Sequence, residues 1–94
     1  MTVRFELREF GASFATRERG AEVREELLRR AGDADRVVVD LAGVQHVSYS
    51  FADELLGKLS AAGNFSLDIE GTSANLDRTI QTAVSRRAPA AISG

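Results

Sequence analysis

The chain has 94 residues, 44% of them hydrophobic and 28% charged, and a formal net charge of −2. Such a chain is predicted to fold as one globular domain with a modest core, which leaves little room for a deep substrate cleft. It has no cysteine, which excludes disulfides, thiolate catalysis and cysteine-based metal sites, and its charge gives no general attraction to nucleic acid or membranes.

The N-terminal segment, MTVRFELREFG, carries charges along its length, so it is not expected to be a secretory signal peptide. No apolar run approaches the roughly 20 residues of a membrane span. We therefore expect a cytoplasmic protein. Residues 2–7 of this segment alternate between polar and apolar side chains, which predicts a strand with one solvated face.

The first predicted helix begins after Thr16, whose hydroxyl can cap it, and runs to about Ala31. Gly32 is expected to end this helix. Its apolar stripe, at spacings of three and four, comprises Val23, Leu27, Leu28 and Ala31. The stripe predicts that one face of the helix packs against the core.

The next segment, RVVVDL at residues 36–41, is apolar without alternation. A continuous β-branched run of this kind is typical of a strand that is covered on both faces in a parallel sheet. We therefore place this strand at the centre of the sheet.

The second predicted helix begins at Ser50, with Asp53 at the capping-box spacing. Its apolar face is formed by Phe51, Ala52, Leu55, Leu56 and Leu59. Gly57 either weakens the helix by ~1 kcal/mol relative to Ala or permits close packing of a neighbour. The helix is expected to end near residues 62–64.

The last third of the chain predicts one more strand and one more helix. FSLDIE, at residues 65–70, alternates as the first strand does. Thr72 or Ser73 is expected to cap the helix that follows. The apolar stripe of this helix comprises Leu76, Ile80 and Val84. Residues 89–94 are predicted to form a flexible C-terminal tail.

The elements follow the order β-α-β-α-β-α, which predicts a small α/β domain with a mostly parallel sheet, three helices and right-handed crossovers. The domain is expected to span residues 1–88. Functional surfaces of such sheets gather at the carboxyl ends of the strands. The hydroxyl triplet Ser48, Tyr49 and Ser50 follows the central strand, so we expect it at that end.

The hydroxyl triplet admits several interpretations. In the simplest, Ser50 is a helix cap; in another, Ser50 or Ser48 is phosphorylated, because a helix N-terminus stabilises a phosphate. Catalysis with His46, the only histidine, is least favoured, since the chain lacks a nucleophile elbow and a Gly-rich oxyanion loop. Asp53 and Glu54 are consecutive on a helix and are not expected to converge on a metal. We expect no enzyme activity, no metal and no cofactor.

Three separated blocks of the sequence resemble a STAS-like domain of unknown function found in bacteria and archaea. They are TRERG at the start of the first helix, VVVDLAGV at the central strand and turn, and SYSFADEL at the second helix. The resemblance is strong over residues 10–60 and looser to residue 88. It implies a STAS-like fold over most of the chain.

That group is similar in turn to the STAS domains of anti-sigma factor antagonists, in which a serine after the central strand is phosphorylated by a partner kinase. Tyr49 stands at the position of that serine in this chain, between Ser48 and Ser50. Because this position holds a tyrosine, the serines on either side of it, Ser50 and Ser48, are the candidate phosphorylation sites that the resemblance implies.

The resemblance also implies a non-enzymatic regulatory module that binds a protein partner through the loop and helix start at residues 48–54. The implied partner-binding residues are Ser48, Tyr49, Ser50, Phe51, Asp53, Glu54 and Lys58. A histidine-kinase-like ATPase, acting as an anti-sigma factor or kinase, is the implied partner. The alternative is a small-ligand or nucleotide-binding module that uses the same end of the sheet. We expect neither nucleic-acid nor membrane binding, and an exposed sheet edge leaves a homo-oligomer open.

Overall fold

The described part of the chain, residues 1–62 and 65–87 of a computed structural model, alternates strands with helices. The strands are β1 (Thr2–Glu6), β2 (Ser13–Phe14), β3 (Arg36–Asp40), β4 (His46–Val47) and β5 (Ser66–Glu70). A 3-10 turn (Leu7–Phe10) follows β1, and two long helices are α1 (Arg17–Ala31) and α3 (Ala74–Arg87). The helical segment between them, α2, has three consecutive sections, Tyr49–Ala52, Asp53–Gly57 and Lys58–Ala62, of which the middle one is π-helical.

β3 lies at the centre of a three-stranded sheet with the order β1-β3-β5, and both pairings are parallel. Phe5 lies opposite Val39, which in turn lies opposite Ile69. The short strands β2 and β4, which the sequence did not predict, form a second parallel pair. The prediction of a small α/β fold with a parallel sheet and three helices is confirmed, as is the central position of β3.

The helices pack on one face of the sheet. The core on that face contains Phe5, Val37 and Val39 from the strands, Val23 and Leu27 from α1, Leu55 and Leu59 from α2, and Leu76 and Ile80 from α3. The chain crosses the sheet in one direction, from β1 to β3 to β5. Right-handed crossovers that all run in one direction place the connecting helices on the same side.

In the described part of the chain, polar side chains of the strands lie on the opposite face of the sheet. Arg4 of β1 bridges Asp40, at 2.7 Å, and Glu70, at 3.0 Å, across all three strands. Val38 lies in register between Arg4 and Asp68 and is only 5% exposed, yet it does not belong to the core cluster. The prediction that β3 is covered on both faces is therefore confirmed by burial, although within the described residues the cover on the Val38 face comes from polar side chains of the neighbouring strands.

Two of the predicted helix caps are present. Thr16 accepts a hydrogen bond of 3.1 Å from a backbone amide in the first turn of α1, and Ser73 accepts one of 3.3 Å in α3. Gly32 follows α1 with φ 54°, a left-handed conformation that glycine adopts without strain. The predicted stripe of α1 is otherwise buried, but Leu28 is 40% exposed. Consecutive helical residues diverge by about 100°, so only Leu27 of this leucine pair faces the core.

Two sequence predictions fall on residues outside the described ranges. The tail at residues 89–94 is one, and the end of the second helix beyond Ala62 is the other. Within the described ranges, no helix has both the length and the apolar character that crossing a membrane requires.

Candidate functional site

Ser48 is fixed at the junction of β4 and α2. Its backbone amide donates to Phe14 O at 2.9 Å, which continues the β2–β4 pairing, and its hydroxyl donates to Ala15 O at 2.9 Å. The same hydroxyl accepts from the Phe51 amide at 3.0 Å and so caps α2. The prediction that Ser50 caps the helix is wrong, because β4 ends directly before Ser48 and helical geometry begins at Tyr49.

Tyr49 and Ser50 lie on the outside of the first turn of α2. Tyr49 is one of three large hydrophobic residues that are exposed in the described part of the chain, with 37% of its area accessible. The Arg86 guanidinium of α3 lies over its ring, 5.4 Å from the centroid. Ser50 is half-buried, as is Lys58 two turns further along the helix. The hydroxyl triplet is therefore divided between one structural group and two groups on the surface.

Three residues predicted to face a partner lie in the interior instead. Phe51 is fully buried and packs against Phe14, with ring centroids 4.7 Å apart and ring planes inclined by 31°. Asp53 and Glu54 are buried between α2 and its neighbouring helices. The expectation that these three side chains form an exposed surface is wrong, because both α1 and α3 pack against α2 and cover the sides on which they lie.

Asp53 forms its ion pairs towards α3 and the start of α1. Arg87 donates to both carboxylate oxygens, at 2.6 and 2.9 Å, and Arg17 donates to one of them at 2.9 Å. These hydrogen bonds, with that of Arg87 first, hold the pKa of Asp53 well below its usual value despite the opposing effect of burial. The capping-box role predicted for Asp53 is wrong, because its oxygens bind these two arginines.

Glu54 forms its ion pairs towards α1 and along α2. Lys58 donates to it at 2.8 Å, Arg24 at 2.6 Å and Arg17 at 3.0 Å. Arg24 also donates to the Glu54 backbone carbonyl at 2.6 Å. Hydrogen bonds from Lys58, then from Arg24 and Arg17, lower the pKa of Glu54 to about 2, although burial alone would raise it.

We call this group of residues the carboxylate cluster; it consists of Arg17, Arg24, Asp53, Glu54, Lys58 and Arg87. Arg17 contacts both carboxylates and so joins the two halves. Within the described residues, no group of acidic or histidine side chains that could hold a metal ion is found. Asp53 and Glu54 do converge on a cation of the chain itself, because Arg17 contacts both. Four cations around two carboxylates leave the cluster with an excess of positive charge.

Two glycines allow the helices to approach the cluster. A Cβ on Gly20 of α1 would lie 2.9 Å from the Glu54 Cβ and 3.1 Å from the Phe51 carbonyl oxygen. A Cβ on Gly57 would lie 3.3 Å from the Ala83 carbonyl oxygen of α3. All three distances are tighter than ordinary van der Waals contact, so of the two interpretations of Gly57 the structure favours close packing.

Comparison with known proteins identifies the group to which the chain belongs. A family model described as a STAS-like domain of unknown function (DUF4325) matches residues 19–79, which is well over half of the chain. The chain belongs to this STAS-like family. The resemblance seen in the sequence is therefore confirmed. Searches of the curated proteins and of the solved structures gave no match.

The matched span of this STAS-like domain contains only part of the site. Tyr49, Asp53 and Glu54 lie inside it, whereas Arg17 precedes it and Arg87 follows it. The carboxylate cluster therefore ties the start of α1 and the end of α3 to the start of α2. Within the described residues, every buried side-chain nitrogen or oxygen has a hydrogen-bond partner.

An open pocket adjoins Tyr49 on the STAS-like domain. It has a volume of about 380 Å³ and lies between α2 and α3. Its lining consists of Tyr49, Asp53, Ala61, Arg86 and Arg87. The pocket places an aromatic ring and two guanidinium groups side by side at the surface.

The sequence did not lead us to predict that Arg17, Gly20 and Arg24 belong to the site, although their spacing indicates it. Arg17, Gly20 and Arg24 recur at spacings of three and four, so they share one face of α1. On the second helix, Asp53 and Glu54 interrupt an otherwise apolar segment. Buried charges are rare unless they are paired, so two acids on an apolar helix call for cations on the helix that packs against it.

Proposed function

We propose that this STAS-like domain is a non-enzymatic regulatory module that binds a protein partner through the surface around Tyr49. The observation that carries the proposal is the exposure of Tyr49, 37% of the residue, at the start of a helix whose neighbouring residues are fixed by hydrogen bonds and ion pairs. Tyrosine suits an interface because it presents a large apolar area together with a polar tip. Ser50 and Lys58, both half-buried, extend this surface along α2.

The rigid support of Tyr49 strengthens the proposal. On one side, Ser48 hydrogen-bonds Ala15 and Phe51 and so fixes the beginning of α2 to the loop before α1. On the other side, Asp53 anchors the next turn to Arg87 of α3. An anchor that is already ordered in the free protein costs little conformational entropy on binding.

The resemblance to anti-sigma factor antagonists suggests an ATPase-fold regulator, acting as an anti-sigma factor or kinase, as the partner. It also suggests control by phosphorylation. Of the two candidate sites, Ser50 suits modification better, because the Ser48 hydroxyl already makes two hydrogen bonds within the fold. In this proposal the protein acts in the cytoplasm.

Affinity capture from the native host tests the proposal. Tagged wild-type protein is compared with Tyr49→Ala and with the control Leu28→Ala, which removes a side chain of similar exposure, 40%, from α1. We expect one protein to be enriched by the wild type and by Leu28→Ala and to be lost with Tyr49→Ala. Circular dichroism melts verify that both variants are folded. Equal capture by Tyr49→Ala would refute the proposal.

A second candidate function is binding of a small anionic ligand or nucleotide at the same end of the sheet. The pocket of about 380 Å³, with Arg86 and Arg87 beside Tyr49, favours it. Thermal shift measurements with ATP, GTP and cyclic dinucleotides test this alternative. An unchanged melting temperature with all of them would remove its support.

A further inference from the structure

The surface around Tyr49 carries more positive charge than its buried acids neutralise. Arg17 and Arg87 bind Asp53, but 46% and 36% of their side chains remain exposed. Arg86 is exposed and forms no ion pair within residues 1–62 and 65–87; its guanidinium lies over the Tyr49 ring. We call the group of Arg17, Tyr49, Arg86 and Arg87 the cationic rim.

The arginines of the cationic rim retain unused hydrogen-bond donors. A guanidinium has five N–H groups. Arg87 directs its Nε and one terminal nitrogen to Asp53, and Arg17 directs one terminal nitrogen to Asp53 and Glu54. The remaining donors are in a forked arrangement that matches a carboxylate or phosphate.

The charge of the whole chain restricts which anion the rim can bind. The net charge is −2, with 14 acidic residues against 12 arginines and lysines. A long polyanion such as nucleic acid would extend past the rim and meet this negative surface, which opposes binding. A short acidic segment of a protein would contact only the rim, so the charge distribution favours a protein ligand.

We propose that the cationic rim recognises a short protein segment in which neighbouring carboxylates contact the arginines while an apolar side chain packs on Tyr49. The proposal rests on the proposed function and adds the chemistry of the partner. The buried acids contribute to this recognition, because Asp53 holds Arg87 and Arg17 in place before the ligand arrives.

Nuclear magnetic resonance titration with a defined probe tests the proposal. The probe is the acetylated and amidated peptide Glu-Asp-Leu-Glu-Asp, and the matched control replaces its acids by Gln and Asn. With the acidic peptide we expect shift changes confined to the amides near Tyr49, Arg86 and Arg87, with a dissociation constant that rises as salt increases from about 0.05 to 0.3 M because screening weakens exposed ion pairs. The neutral peptide is expected to produce no such changes.

Charge reversal at Arg86 is the matched protein variant. Arg86→Glu is expected to weaken binding of the acidic peptide by at least ~5-fold, since it replaces an attraction with a repulsion. Arg78→Glu is the control, because Arg78 is an exposed arginine of the same helix outside the rim, and it should leave binding within ~2-fold. Equal effects of the two variants, or equal binding of the two peptides, would overturn the inference.

The two proposals can fail separately. Capture of a protein that depends on Tyr49 but not on Arg86 or salt would overturn the acidic-segment inference and leave the proposed function standing. Capture that is unaffected by Tyr49→Ala would overturn the proposed function. Preferential binding of a single-stranded oligonucleotide over the acidic peptide would overturn the choice of a protein ligand.

Discussion

Two serines at the start of α2, separated by one residue, have different environments. The Ser48 hydroxyl is both a donor, to Ala15 O, and an acceptor, from the Phe51 amide. Ser50 lies in the first turn of the helix, half-buried, and does not cap it. Ser48 therefore stabilises the fold, whereas the hydroxyl of Ser50 remains available for modification.

Substitution of each serine measures this difference. We expect Ser48→Ala to lower the free energy of unfolding by ~1 kcal/mol, because it removes the cap and its bond to Ala15. Ser50→Ala should change it by less than ~0.5 kcal/mol, as is usual for a position without such bonds. Urea unfolding monitored by circular dichroism checks both values. A larger loss for Ser50→Ala than for Ser48→Ala would show that the cap is misplaced.

The sequence predicts a cap at Thr16 and one at Thr72 or Ser73, but not the cap at Ser48, for a local reason. The stretch SYSF contains two hydroxyls that could both cap a helix. The choice depends on β4, a two-residue strand whose pairing with β2 fixes where extended backbone ends. Such a short strand has no periodicity, so the sequence contains no local signal for it.

At the scale of elements, α2 is held by ion pairs between helices as well as by its apolar face. Its π-helical section, Asp53–Gly57, contains both buried acids. Asp53 binds Arg87 of α3, and Glu54 binds Arg24 of α1. Removing one partner of a buried ion pair leaves an unpaired buried charge, so the cluster fixes the relative positions of the three helices.

The carboxylate cluster predicts how stability depends on pH. The folded pKa of Glu54, about 2, lies below its ordinary value of 4.5, and that of Asp53 is lowered from 3.8. The unfolded chain therefore binds more protons than the folded chain in acid. The contribution of the cluster is fully present above pH ~5 and is lost as pH falls towards 2.

The double variant Asp53→Asn, Glu54→Gln isolates this effect. We expect it to be less stable than the wild type at pH 7, because its arginines lose charged partners, and to lose less stability between pH 5 and pH 2.5. Urea unfolding at several pH values gives, for each protein, the slope of the free energy of unfolding against pH. Some slope should remain, because the pKa values of Asp35 and Asp40 are also lowered in the fold. Parallel curves for the two proteins would exclude the cluster as the source of the acid sensitivity.

At the scale of the whole molecule, the domain has two layers, a sheet and the helices on one of its faces. The periodicity of the sequence predicted the order of the main elements and the central position of β3. It did not predict what covers each face, because the run Val37, Val38 and Val39 is apolar on both sides. The shielding of Val38 comes from residues of the neighbouring strands, which contact it only once the register is formed.

Replacing single valines by threonine distinguishes the two faces. Val39 points into the core and is fully buried, so a hydroxyl there lacks a partner and Val39→Thr is expected to lower the free energy of unfolding by ~1–3 kcal/mol. Val38 lies on the polar face between Arg4 and Asp68, where a hydroxyl can bond to a charged side chain or to water. Val38→Thr should therefore lower the free energy of unfolding by at least ~1 kcal/mol less than Val39→Thr does. For a domain of this size, that difference corresponds to a melting temperature ~4–8 °C higher than that of Val39→Thr.

The comparison of Val38→Thr with Val39→Thr is carried out on dilute and on concentrated protein. An equal or larger loss for Val38→Thr at all concentrations would mean that the face of β3 around Val38 is packed as a core, contrary to the two-layer arrangement. A loss that appears only at high concentration would instead mean that a second copy covers this face. The expected result is a small loss of stability that does not depend on concentration. It would mean that the ion-paired side chains of Arg4, Asp40 and Glu70 are sufficient to shield Val38.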